Sequence, residues 1–122
     1  MEVRLFRTSL LALSALLLTS GAALAQQGSA AAGKALYMRN CSGCHLASGA
    51  GGVHFGDAVS ADLRAPGLET TYHHSTKLML RAILQARDED GKRLDQPMPA
   101  WAGKITQAQA LDIIAYLKTL RS

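Results

Sequence analysis

Residues 41–45 read Cys41-Ser42-Gly43-Cys44-His45, and this stretch decides how the rest of the chain is understood. Two thiols three positions apart sit about one helical turn from each other, so both can reach the two vinyl groups on one porphyrin edge. The residue after the second thiol points under the ring, where an imidazole nitrogen can bind iron. C-x-x-C-H is the attachment pattern of c-type haem. Thioether bonds make the attachment permanent, which suits a compartment outside the cytosol. Three rival chemistries compete for these residues. A thioredoxin-like C-x-x-C needs a strand–helix framework, and no alternating strand pattern is convincing here. A closed zinc site needs four ligands. His54, His73 or His74 could contribute one, but the chain has only 2 cysteines. A simple disulfide is compatible with an oxidising compartment. Haem is the preferred reading, because leader, motif and helical pattern agree.

The chain has 122 residues, of which 48% are hydrophobic and 5% aromatic, with a formal net charge of +4. That is one-domain length. Part of it is not fold. Arg4 and Arg7 precede the apolar run Leu10–Leu18, and small residues end in Ala23-Leu24-Ala25 before Gln26. A basic start, an apolar centre and an A-x-A end make residues 1–25 a secretory signal peptide, cleaved after Ala25. Ser14, Thr19, Ser20 and Gln26 interrupt the run before it reaches the roughly 20 apolar residues needed to cross a bilayer. No membrane span is therefore expected after cleavage, and the expected location is periplasmic or otherwise secreted. The mature domain, residues 26–122, loses Glu2, Arg4 and Arg7 and so carries one positive charge less. A chain this small buries a thin core and often recruits a disulfide, metal or cofactor. The composition excludes a multidomain enzyme, a polytopic membrane protein and a disulfide-dense scaffold. Nucleic-acid binding is not supported either, because basic residues are scattered and few aromatics are interleaved as stacking platforms.

Outward from the motif, the pattern is helical. Ala, Leu, Tyr and Met dominate from about Ala31 to Cys41, a composition that favours helix. Five glycines between Gly43 and Gly56, then Pro66-Gly67, make residues 46–74 read mostly as loop. Ser75 can cap a helix to about Arg87, with Leu80, Ile83, Leu84 and Arg87 at helical spacing. Lys92–Lys104 contains Pro97, Pro99 and Gly103 and reads as extended loop. Thr106-Gln107-Ala108-Gln109 fits a capping box opening a helix to about Leu120. Its polar stripe is Gln109, Asp112 and Thr119, and the remainder should be well buried. The fold class is all-α.

Iron held by one histidine has a second face to fill. Met1 leaves with the signal, and Met38 lies three residues before Cys41. Met79 falls in the apolar pattern of a helix, where methionine is usually core filler. Met98 is flanked by Pro97 and Pro99, which restrict their own φ and the residue before each. A stiff loop of this kind can present a thioether sulfur, so Met98 is the candidate sixth ligand. His54, His73 and His74 compete for that role, but loop histidines on a small secreted domain are more often solvated.

With these motifs in place, the sequence resembles the class I c-type cytochromes over nearly all of residues 26–122. Gly33 and Tyr37 look like the family's small residue and aromatic on the N-terminal helix. Cys41, Cys44 and His45 match its haem motif, and Met98-Pro99-Ala100-Trp101 looks like its distal methionine loop. Ile113-Ile114-Ala115-Tyr116-Leu117-Lys118 is similar to its C-terminal helix. The resemblance implies three to four helices around one covalently bound haem c with its iron. It also implies a crossing of the terminal helices at Gly33, Tyr37, Ile113 and Tyr116, with Leu117 facing the haem. The family often has a proline soon after the motif, whose carbonyl accepts the proximal histidine Nδ1–H. Pro66 is the only candidate before Met98 and comes late. Leu46–Arg64 therefore looks like an enlarged loop, covering a haem edge or meeting a partner.

His/Met ligation would leave no vacant iron position, which favours outer-sphere electron transfer over small-molecule activation. The function expected is a one-electron carrier with separate donor and acceptor proteins as redox partners, a monomer and not an enzyme. Two alternatives stand beside it: a haem-bearing subunit of a dehydrogenase or oxidase complex, and a haem enzyme or gas sensor with a labile sixth ligand. Lys77, Arg81, Lys92, Arg93 and Lys104 surround the distal loop and could steer acidic partners, although Asp88, Glu89, Asp90 and Asp95 are interspersed.

Overall fold

The first helix begins where its orphan donors are met. In the computed structural model, which describes residues 27–122, α1 spans Ala30–Asn40 and Ser29 caps it, its hydroxyl accepting from the Ala32 N–H at 3.3 Å. The Ser29 N–H in turn donates to Asp112 Oδ1 at 2.6 Å. Gly33, Leu36 and Tyr37 are its buried residues, the i, i+3, i+4 set that shares one face. Residues 1–25, expected to be a signal peptide, lie outside the described residues. Directly after α1, a single turn α2 spans Ser42–His45, started by the Cys44 and His45 N–H groups donating to the Cys41 carbonyl.

The glycine-rich stretch is not wholly loop. A short antiparallel hairpin pairs β1, His54–Phe55, with β2, Ala58–Val59, and α3 spans Gly67–Thr71. Neither was expected from the sequence. Strands of two residues show no period, and a five-residue helix is too short to repeat an apolar face. The all-α class stands, since the hairpin is the only sheet among the described residues.

The two longer helices follow their caps. Ser75 accepts from the Leu78 N–H at 3.3 Å and opens α4, Thr76–Gln85, which ends at Ala86 in the left-handed region. Thr106 and Gln109 form a reciprocal capping box, and α5 runs Gln107–Leu117. Both helices stop two or three residues before the sequence-based bounds.

α5 packs most extensively on α1 and next on α4. A Cβ at Gly33 would meet the Asp112 carbonyl and Ile113 nitrogen, so the helix backbones touch where a side chain cannot fit. Leu36, Tyr37, Ile113, Tyr116 and Leu117 form one buried cluster. Tyr72, Met79, Ala82 and Ile114 form a second. Tyr37 and Tyr116 pair with ring centroids 5.3 Å apart at 54°, within the favourable range for aromatic contacts. Asp112 belongs to this crossing and is half-buried there. The sequence assigns it to the polar stripe of α5.

Candidate haem site

α1 and α2 set the two thiols a turn apart, and both are free and half-buried. Burial pushes the Cys41 thiol up to about 11, with the neighbouring Cys44 adding to the shift. Cys41 therefore stays a neutral thiol at neutral pH. His45 follows at the end of α2, and its Nδ1 lies 2.9 Å from the Ala61 carbonyl oxygen. A carbonyl only accepts, so this contact places the proton on Nδ1 and leaves Nε2 as the free donor atom.

Pro66 is not the residue that orients His45. Its carbonyl is taken up in the first turn of α3, accepting from the Thr70 N–H at 3.0 Å and the Thr70 hydroxyl at 3.1 Å. Ala61 replaces it. No side-chain signature marks a backbone carbonyl, so the sequence carried no signal for this choice.

Met98 arrives by a different route. The Ile83 and Leu84 carbonyls near the end of α4 have no partner within the helix. They accept from the Trp101 and Ala102 N–H groups, each at 3.0 Å, which ties the distal segment to α4. Within it, Asp95–Met98 forms a turn closed by the Met98 N–H on the Asp95 carbonyl at 3.1 Å. The Gln96–Pro97 peptide in that turn is cis, the geometry of a type VI turn. The stiff segment expected from Pro97 and Pro99 is thus a tight turn before Met98, not an extended run throughout.

These routes converge. Cys41, Cys44, His45 and Met98 all line one cavity of about 370 Å³, a volume in the range of cofactor sites. Leu68, Met79, Ile83, Leu94, Ile113 and Leu117 make its wall predominantly apolar. Met79 serves as core and as cavity wall together, and Leu117 lines the cavity as the resemblance implied. His54, His73 and His74 are exposed and absent from the lining. Trp101 of the distal loop lines the cavity as well, and so does Tyr72, which the sequence did not single out. Burial raises the Tyr72 hydroxyl's pKa, with Glu89 and then Asp88 adding to it and Arg81 opposing.

The donor set fits an iron porphyrin. Two free thiols a turn apart, an imidazole with Nε2 unengaged and a thioether share an apolar cavity, and among the described residues no cluster of three metal-ligating His, Cys, Asp or Glu side chains offers a closed ion site instead. Arg81, one of the cations around the distal loop, is engaged within the chain. Its guanidinium is half-buried and donates to the Asp88 carbonyl at 2.7 Å and the Glu89 carbonyl at 3.0 Å. It ties α4 to the loop that follows it.

No curated protein and no solved structure gave a significant match to the chain. The family model for cytochrome c matches residues 30–121, an interval that contains the whole α1–α5 core and every residue of the cavity. A domain of this kind transfers electrons through iron in a c-type haem that it binds covalently, and by fold, motif and match the chain belongs to the cytochrome c family.

Proposed function

We propose that this chain is a one-electron carrier working outside the cytoplasm, and that His45 and Met98 are the residues that would hold its haem iron. One observation carries the reading: both cysteines, His45 and Met98 line the same cavity. When bound, the haem supplies a one-electron iron couple. The chain's side chains determine what can be done with it. His45 offers Nε2 because Ala61 engages its Nδ1. Met98 offers a soft thioether, which favours the less charged state of iron and raises the potential relative to stronger donors. With His45 and Met98 both holding the iron, no position on it would be left for a small substrate. The apolar wall excludes water and so penalises the extra charge of ferric iron in the same direction.

The exposure of His54, His73 and His74 favours Met98 over a second histidine. A location outside the cytoplasm is supported by the leader-like residues 1–25. Among the described residues no helix is long and apolar enough to cross a membrane. Met98→Ala tests the ligand assignment. The variant should bind carbon monoxide rapidly when reduced and show a lower potential, while the reduced wild type binds it slowly. An unchanged spectrum and potential in Met98→Ala would remove Met98 from the iron. Rapid carbon monoxide binding by the wild type would favour a sensor or enzyme.

A further inference from the structure

The chain leaves α4 at Ala86 and returns to it at Ala102, and Met98 lies on the way. The backbone ties both parts of this excursion. The Leu94 N–H donates to the Ala86 carbonyl at 2.8 Å, and the Trp101 and Ala102 N–H groups reach the Ile83 and Leu84 carbonyls. Between Ala86 and Leu94 the chain closes on itself. The Asp88 N–H donates to the Lys92 carbonyl at 2.8 Å, and Asp88 Oδ1 accepts from the Asp90 and Lys92 N–H groups at 3.0 and 2.7 Å. Arg81 enters this loop from α4. Its Nη2 donates to the Asp88 carbonyl at 2.7 Å and the Glu89 carbonyl at 3.0 Å, and a Cβ on Gly91 would lie 3.7 Å from its Nη1. Among the described residues it is the only α4 side chain that hydrogen-bonds to the segment. Its Nε is buried without a partner. Filling space does not account for that, because an apolar side chain of similar length would carry no orphaned donor. What the guanidinium adds is a pair of charge-assisted bonds to loop carbonyls. The residues it grips belong to the cavity, since Asp88 and Glu89 line it together with Leu94 and Met98.

Resting on the reading that Met98 holds the haem iron, we propose that Arg81 is a positioning residue for Met98, pinning to α4 the loop that leads into it. Leu94 hands the chain directly to the Asp95–Met98 turn, so a shift of the loop is passed on to the sulfur. Methionine is a flexible side chain with an uncharged thioether, and its hold depends on where the backbone puts it. Arg81 does not line the cavity and acts only through the loop. Without the two bonds, the fraction of molecules with the loop open should rise at least about tenfold.

Arg81→Met keeps the bulk of the side chain and removes its donors. In the purified ferric holoprotein, the sulfur-to-iron band of this variant should fade at lower urea than in the wild type. The far-UV signal of the helices should keep nearly its wild-type midpoint. The reduced variant should bind carbon monoxide at least about tenfold faster. Lys77→Met removes an exposed cation from the same helix and should match the wild type in both measurements. Band and helix midpoints that fall together would make Arg81 a purely structural residue and overturn the proposal. A Lys77→Met that behaves like Arg81→Met would trace the effect to charge and overturn it too. Hydrogen exchange in the reduced wild type tests the link between loop and Met98 without any variant. The Leu94 and Met98 N–H groups should share one level of protection, and a Met98 N–H that exchanges freely while Leu94 stays protected overturns it. A wild type lacking the far-red band would instead remove Met98 from the iron and with it the underlying reading. A wild type that has the band, beside an Arg81→Met that behaves identically, defeats the role of Arg81 alone.

Discussion

Tyr37 is fully buried at 0% exposure, and its hydroxyl donates to the Leu46 carbonyl at 2.6 Å. It thus joins the terminal-helix crossing to the first residue after the haem motif. Tyr37→Phe should keep the packing and lose that bond, at a cost of about 1 kcal/mol in denaturant unfolding. The burial of this hydroxyl also has a pH signature. Burial, then the nearby Cys41 and Tyr116, raises the Tyr37 hydroxyl from its ordinary value near 10 to about 12. Cys41 loses its charge when it becomes a thioether, but burial is the first cause and persists. A raised pKa means the folded state prefers the neutral phenol. Its contribution is intact below about pH 10 and is lost as pH rises through about 12. The stability gap between wild type and Tyr37→Phe should therefore shrink over that window, as followed by urea titrations at stepped pH. A gap constant through pH 12 would contradict the burial argument.

At the scale of elements, the close approach of α1 and α5 positions the cysteines relative to the cavity wall. Gly33→Ala would drive a methyl group into the Asp112 carbonyl, and overpacking of this kind costs about 1–3 kcal/mol. Thr106→Ala removes the hydroxyl from the capping box of α5 and should cost about 1 kcal/mol. Both are read from unfolding midpoints, with Gly33→Ala the larger loss. These helices were legible in the sequence because their signals are local. Ser75 and Thr106 each satisfy a backbone donor three residues away, and apolar spacing marks the buried faces. The hairpin and the His45 partner were not legible. Ala61 acts through a carbonyl that every residue possesses, and it reaches His45 across 16 positions of chain. Pro66 attracted attention by its residue type, whereas the fold uses its carbonyl in α3. The prolines around Met98 mark a stiff segment in the sequence, but the turn preceding Met98 depends on tertiary ties to α4.

For the whole molecule, charge placement matters more than net charge. Lys77, Lys92, Arg93 and Lys104 are exposed, and Lys104 Nζ lies 5.5 Å from the Trp101 ring centroid while Trp101 lines the cavity. With Arg81 committed to the loop after α4, these four remain from the expected steering set. Oxidation by a small anionic complex should slow as salt is added, because screening weakens attraction between exposed charges. A flat salt dependence would show that the rim does not steer. A diffusible carrier should also purify alone in high salt, and persistent co-purification of another chain would identify a complex subunit instead.

The central claim is a covalent haem with sulfur on its iron. The most direct measurement is the reduced and oxidised absorption spectrum of the purified mature protein, produced with a haem-attachment system and recorded into the far red. The spectrum should show c-type haem bands that survive acid–organic extraction and a weak ferric sulfur-to-iron band that Met98→Ala abolishes. No bound haem, or a ferric wild type without the far-red band, would contradict it.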